Sequence, residues 1–187
     1  MKQYKVAILG ATGAVGREMM KILAERDFPV AELHLLASER SVGQLLPWKG
    51  QDIAVELACD EAFKGMDIVL GAAENDIAKR FAPAIVKAGA VFVDNSSAFR
   101  MDPDVPLVIP EINPEDARKH KGIIANPNCT TIVSLVAINA LNQDSPIESI
   151  IASSYQAVSG AGAGGPIELL NEVVSASTGI LSSFSFC

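Results

Sequence analysis

The sequence predicts an α/β protein with a doubly wound parallel sheet. Three observations carry this. A strand, a glycine-rich turn and a helix follow one another within the first 26 residues. Farther on, short apolar runs of strand length alternate with segments of helical spacing. The composition, 49% hydrophobic but only 5% aromatic, suits a chain rich in Ala, Val and Ile packed in layers. At 187 residues there is room for one large domain, or for one domain and part of another.

The first strand is expected over residues 4–9 and the first helix over 15–26, with Met19, Met20, Ile22 and Leu23 on its apolar face. Between them lies Gly10-Ala11-Thr12-Gly13-Ala14-Val15-Gly16. Glycines there permit a tight turn and a close approach of backbone to a pyrophosphate, and the helix N-terminus then faces the negative charge. The spacing is GxxGxxG rather than the commoner GxGxxG. The glycine pattern gains its meaning from the strand before it and the helix after it.

A second strand is expected over 32–37, running into Ser38-Glu39-Arg40-Ser41. An NAD site usually places an acid at the end of this strand to hold the ribose 2′-hydroxyl. Here Ser38, Arg40 and Ser41 offer hydroxyl and charge-assisted hydrogen bonds to a 2′-phosphate, which favours NADP. Glu39 is the competing feature, since it offers a partner for a ribose hydroxyl. Further strands are expected over 66–71 and 90–93, with short ones over 107–109 and 123–125. A helix over 77–88 ends at Gly89.

Asp94-Asn95-Ser96-Ser97-Ala98-Phe99-Arg100 follows the C-terminal end of a strand, the edge along which open α/β sheets bind ligands. Arg100 is a candidate anion contact there, a plain surface arginine being the alternative. Asn126-Pro127-Asn128-Cys129-Thr130-Thr131 then sets a cysteine between a polar turn and an apolar helical segment over 132–141. A thiol at a helix N-terminus meets unpaired N–H groups and the positive end of the helix dipole, and both favour the nucleophilic thiolate. Cys129 as a small buried hydrophobe is the competing reading. A strand over 149–158, the loop Ser159-Gly160-Ala161-Gly162-Ala163-Gly164-Gly165 and a helix opened by Pro166 complete the chain's legible part.

Several function classes are disfavoured. A net charge of −7 argues against a nucleic-acid partner. There is no zinc-ligand spacing, so no metal is expected, and no apolar run long enough to span a membrane. Cys59, Cys129 and Cys187 are few, widely spaced and odd in number, which fits a reducing compartment. Glycines and charges interrupt the apolar N-terminus as a signal peptide would not allow, so a cytoplasmic location is expected. His34 and His120 read as structural or solvated.

Five motifs in this order resemble the aspartate-β-semialdehyde dehydrogenase family. They are 10–16, Ala37-Ser38-Glu39-Arg40-Ser41, 94–100, Pro127-Asn128-Cys129-Thr130-Thr131 and Tyr155-Gln156-Ala157-Val158-Ser159-Gly160-Ala161-Gly162. The resemblance implies a Rossmann-like NADP-binding domain over 1–128. It is followed over 129–187 by the start of a truncated α+β catalytic and dimerisation domain. It implies reversible, phosphate-dependent oxidation of aspartate semialdehyde to 4-aspartyl phosphate through a thioester on Cys129, on the route to lysine, threonine and methionine.

By the same resemblance Gly10, Thr12, Gly13, Ala14, Val15, Gly16, Ser38, Arg40, Ser41, Ser159 and Gly160 contact NADP. Gln156 positions the substrate, and Arg100 with Asn128 holds phosphate or the acyl phosphate. The family exceeds 300 residues in general form. Its histidine base, a substrate-carboxylate arginine, a phosphate-binding lysine and much of a homodimer or homotetramer interface are therefore expected outside residues 1–187. Low turnover is expected of this chain alone. Glu74-Asn75 departs from the small Gly/Ser turn more usual near the cofactor. N-acetylglutamyl-phosphate reductase, which tends to set its cysteine in a Gly-Cys-Tyr-Pro context, is a poorer match. A non-catalytic dinucleotide-binding module is the alternative from another class.

Overall fold

The computed structural model describes residues 2–158 and 164–178. It divides into two units, Met1–Ile150 and Ile151–Cys187. The first is built on a seven-stranded sheet in the order β3-β4-β2-β1-β5-β6-β7. The strands are β1 (Tyr4–Leu9), β2 (Val30–Ala37), β3 (Leu45–Trp48), β4 (Gln51–Leu57), β5 (Ile68–Gly71), β6 (Val91–Asp94) and β7 (Ile123–Ala125). All pairings are parallel except β3 with β4. The helices are α1 (Ala14–Glu25), α2 (Asn75–Lys87) and α3 (Cys129–Asp144), with α4 (Gly164–Ser177) in the second unit.

Strand β1 lies at the centre, and Val6, Ala7, Ile8 and Leu9 are each at most 1% exposed. Its apolar run is continuous because both faces are covered. Successive side chains of a strand point to opposite faces. Accordingly Val6 and Ile8 join a core with Met20 of α1, Leu35 and Val55. Ala7 and Leu9 join the other, with Phe81 and Ile85 of α2 and Phe92. Burying each large side chain of this kind contributes about 1.5–3 kcal/mol. The two-sided core and the central β1 establish the doubly wound sheet read from the sequence.

The details differ in four places. The hairpin of β3 and β4 is not among the strands expected from the sequence. Its two-residue turn, Lys49 (φ 46°) and Gly50 (φ 79°), joins the paired residues Trp48 and Gln51. Two positive φ values give the tight twist that hairpins favour, but Lys-Gly is a weaker signal for it than Asn-Gly. Trp48 anchors this edge hairpin by donating Nε1–H to the Met20 carbonyl of α1 at 2.9 Å. In α1, Ile22 is 39% exposed, so the buried stripe is narrower than expected.

Residues 107–109 form only a single parallel bridge, Leu107 to Ala125. Residues 149–158 form no strand; Ile151 and Tyr155 are fully exposed. A strand's backbone groups need a neighbouring strand to bond, and this segment has none among the described residues.

Candidate active site

Parallel pairing sends the C-terminal ends of β1, β2, β4, β5, β6 and β7 to one edge of the sheet. The loops that follow β1, β2, β5, β6 and β7 carry most of the residues singled out in the sequence. Residues 10–16, 38–41, 72–74, 95–100 and 126–128 thus come together by topology alone.

The three glycines of the first loop are not equivalent. Gly10 has φ +89°, and a Cβ there would lie 2.7 Å from the Ala72 carbonyl oxygen. A Cβ on Gly16 would lie 2.4 Å from the Gly10 oxygen, so α1 can approach the turn only without one. Gly13 has ordinary backbone angles (φ −72°), and a Cβ there would meet only the Gly10 oxygen at 3.4 Å. The fold requires Gly10 and Gly16. At Gly13 it leaves an open backbone surface.

Gly13 is the N-cap of α1, with no side-chain cap and no acid in the first turn. The amides of Ala14, Val15 and Gly16 bond no protein acceptor among the described residues. Free N–H groups at the positive end of a helix dipole fit a pyrophosphate. Arg17 Nε donates to the Thr12 carbonyl at 3.2 Å and holds the loop from outside.

The turn after β2 is a 3-10 turn, Glu39–Ser41, closed by Ser41 N–H donating to the Ser38 carbonyl at 2.9 Å. The Ser38 hydroxyl makes no cap bond. Ser41 is half-buried with its hydroxyl against that of Thr12. Arg40 is exposed and makes no ion pair among the described residues. The turn therefore offers two hydroxyls and a guanidinium beside the first loop. Glu39 is exposed in the same turn.

The loops after β6 and β7 are stitched together. Asp94, which ends β6, is the one buried charged residue among those described. Its carboxylate accepts the Ser96 hydroxyl at 2.6 Å and the Ser96 amide at 3.2 Å. Burial pushes its pKa above the ordinary carboxylate value, against the Ser96 hydrogen bonds and the Arg100 charge, which lower it. Asn126 N–H donates to the Asp94 carbonyl at 2.8 Å, and Asn126 Nδ2 to Asn95 Oδ1. Arg100 donates Nε–H to the Asn126 carbonyl at 2.9 Å and Nη2–H to the Asn95 carbonyl at 3.1 Å. Across the same edge, Ser97 N–H donates to Asn75 Oδ1 at 2.9 Å, tying this loop to the start of α2.

Cys129 is the first residue of α3 and is exposed. Asn128 caps that helix: its Oδ1 accepts from Thr130 N at 3.0 Å and from Thr131 N at 3.4 Å. The thiol therefore projects from a capped helix start on the ligand edge and is not a buried hydrophobe. Gln156 lies in an exposed, irregular stretch of the second unit. Ser159 and Gly160 fall outside the described residues. His34 pairs with Glu56 across β2 and β4 (Nδ1 to Oε1, 2.9 Å), and His120 Nδ1 accepts from Gly122 N–H at 2.9 Å. Both imidazoles are thus hydrogen-bonded within the fold. Glu74 and Asn75 sit at the start of α2 beside the Gly10 turn. Among the described residues there is no group of three or more potential metal ligands, and no helix long and apolar enough to cross a membrane.

Sequence reading did not single out Asp94 or Asn126. The acid after an apolar strand was a signal for the first. Nothing local announces that Asn126 meets Asn95, 31 residues away.

The family model described as "semialdehyde dehydrogenase, NAD binding domain" matches residues 5–120. Over 159 residues the chain is 59% identical to the aspartate-semialdehyde dehydrogenase of Synechocystis sp., covering 85% of this chain and 47% of that protein. The chain belongs to the aspartate-semialdehyde dehydrogenase family. The enzyme of that name from Aquifex aeolicus is 54% identical over 172 residues, covering 90% of this chain and 51% of that one. Aspartate-semialdehyde dehydrogenase II of Vibrio cholerae, solved in complex with ASA, superposes with a TM-score of 0.92 at 42% identity, covering 99% of this chain and 56% of that chain. The Candida albicans enzyme solved with NADP superposes at 0.62 with 27% identity, covering 78% of this chain and 48% of that one. The chain spans about half the length of the curated relatives it matches. Its residues 5–120 form the nicotinamide-dinucleotide-binding domain of this oxidoreductase family. Cys129 lies just beyond that match.

Proposed function

We propose that this chain carries the NADP-binding and nucleophile-bearing part of a phosphorylating aspartate-semialdehyde dehydrogenase. One observation supports it above the others: an exposed cysteine opens a capped helix on the same sheet edge as an uncapped helix N-terminus. A module that only bound dinucleotide would have no use for that thiol. The whole protein would then be a cytoplasmic homodimer or homotetramer in the synthesis of lysine, threonine and methionine.

The free amides of Ala14, Val15 and Gly16 would hold the pyrophosphate, with Gly10, Thr12 and Gly13 shaping the loop. Ser38, Arg40 and Ser41 would hold the 2′-phosphate; Ser159 and Gly160, outside the described residues, are assigned to the cofactor by the family resemblance alone. The bound dinucleotide would supply a hydride acceptor. Cys129 supplies the rest of the covalent chemistry. Its Sγ bonds to the aldehyde carbon, giving a thiohemiacetal. Loss of hydride from that carbon, and of the hydroxyl proton to a base, leaves an acyl thioester on Sγ. A phosphate oxygen then bonds to the acyl carbon, the carbon–sulfur bond breaks, and the thiolate returns as 4-aspartyl phosphate leaves. The covalent intermediate divides one hard step into two easier ones.

Arg100 has five N–H donors and commits two of them to carbonyls, so three remain for phosphate. Asn128 spends Oδ1 on the cap and keeps its Nδ2 donors for the same anion. Gln156 would orient the substrate. The base is the family's histidine, in the part of the family's length that this chain does not span. Without it, turnover should fall by about 10²–10⁴-fold.

The test is NADP⁺ reduction with aspartate semialdehyde, with and without phosphate. Slow, phosphate-dependent NADPH formation supports the proposal. Reduction indifferent to phosphate, or equal with NAD⁺, contradicts it.

A further inference from the structure

Asn126 spends nearly all its polar groups on the loop after β6. Its N–H donates to Asp94, its carbonyl accepts from Arg100 Nε, and its Nδ2 donates to Asn95 Oδ1. Arg100 closes the circuit through its second bond, to the Asn95 carbonyl. Asn95 is in turn held by its own N–H, which donates to the Gly71 carbonyl at 3.1 Å. Only two residues separate Asn126 from Cys129. Pro127 has a fixed φ and holds Asn126 in extended backbone. Asn128 is fixed as the cap of α3. No free hinge lies between the Asn126 clamp and the thiol.

We infer that Asn126 is a positioning residue: clamped to Asn95 and Arg100, it sets the Cys129 thiol at a fixed place relative to the Arg100 guanidinium. The inference rests on the roles proposed above for Cys129 and Arg100. Its consequence is a matched pair, in which a carbon under attack by sulfur and an anion held by Arg100 fit together. The strain-free cost of ordering is met during folding, so the pair is preorganised. Arg100 is thus a strut through Nε and Nη2, and its remaining N–H groups make no hydrogen bond within the protein among the described residues.

Alkylation of Cys129 by iodoacetate and by iodoacetamide tests this. The reagents differ chiefly in charge. The ratio of their rates therefore cancels the reactivity of the thiol and reads the placement of a cation beside it. Rates are followed on the Cys129 peptide by mass spectrometry, which separates it from Cys59 and Cys187. The wild-type ratio should exceed that of a free cysteine peptide by roughly fivefold, the size of an exposed charge pair. Arg100→Ala should remove the excess.

Asn126→Ala should lose most of it, while NADP⁺ affinity is kept. Asn95→Ala removes the same side-chain bond and leaves Asn126 in place, so it serves if Asn126→Ala folds poorly. The double variant should be no worse than the worse single one, since both act through one bond. A ratio unchanged in Asn126→Ala, even with a lowered melting temperature, overturns the inference, as does a wild-type ratio equal to that of the peptide. Failure of phosphate-dependent NADP⁺ reduction with these ratios intact would refute the proposed reaction and leave the positioning role standing.

Discussion

The Thr12 and Ser41 hydroxyl oxygens lie 3.4 Å apart, joining the loop after β1 to the turn after β2. The loop proposed to hold the pyrophosphate and the turn proposed to hold the 2′-phosphate are thereby held in one frame, 29 residues apart in sequence. Cofactor choice should follow from this pair of loops.

Arg40→Ala tests that directly. Arg40 is exposed, so its loss should cost about 1–2 kcal/mol of NADP⁺ binding, a five- to thirtyfold weaker Kd. NAD⁺ binding should not change. Calorimetric titration of both dinucleotides reads the difference. Equal loss for the two would mean that Arg40 does not face a 2′-phosphate.

The glycines should separate into two classes. Gly16→Ala forces a Cβ to within 2.4 Å of the Gly10 backbone oxygen, so it should lower the melting temperature markedly. Gly13→Ala meets only an ordinary contact at 3.4 Å and should leave stability nearly unchanged or slightly raised. It should nonetheless weaken dinucleotide binding, because the methyl group occupies the surface offered to the pyrophosphate. Thermal melts with and without NADP⁺ separate the two effects.

Asp94 should give an unusual pH signature. Its pKa is raised by burial above the ordinary 3.8, so the folded protein holds this proton more tightly than the unfolded chain. Stability from this group is therefore fully present below about 3.8 and is lost as pH rises through the raised value. Asp27, Asp104 and Asp116 behave oppositely. Hydrogen bonds and charge from Lys49, Lys121 and Lys119 respectively lower their pKa, so their contribution is lost as pH falls. Asp94→Asn removes only the first effect. Urea denaturation across pH should show the stability of Asp94→Asn relative to wild type increasing as pH rises above 3.8. Parallel pH curves would contradict the assignment.

Helix α3 should drive association. None of its residues is buried, and Val133 and Leu141 are 76% and 67% exposed. Exposed apolar surface of this kind favours contact with another chain. Light scattering should find the chain self-associated, and Leu141→Lys should shift it toward monomer. A monodisperse wild-type monomer would contradict this.

The parts of this fold that were legible in the sequence are those governed by local physics. Residues 4–16 announce a strand, a turn and a helix start because apolar run, glycine spacing and helical periodicity are all local. Asn128 and Cys129 read correctly as a helix start for the same reason. The hairpin at Lys49-Gly50 was not legible, because its turn uses a lysine at positive φ. Residues 149–158 read as a strand from their apolar residues, but a strand forms only against a neighbour. The clamp among Asn95, Arg100 and Asn126 was hidden because it depends on β6 and β7 lying side by side. The sequence marks Arg100 only as a candidate anion contact; its bonds to the Asn126 and Asn95 carbonyls are visible only with the fold.

The central claim is that Cys129 carries the acyl group. The most direct measurement mixes the chain with NADP⁺ and aspartate semialdehyde without phosphate and weighs the Cys129 peptide. An acyl adduct on Cys129, formed together with NADPH that stops at one turnover per thiol and resumes when phosphate is added and releases the adduct, is the expected result. NADPH formation that persists in Cys129→Ser, or NADPH formed with no adduct on Cys129, would contradict it.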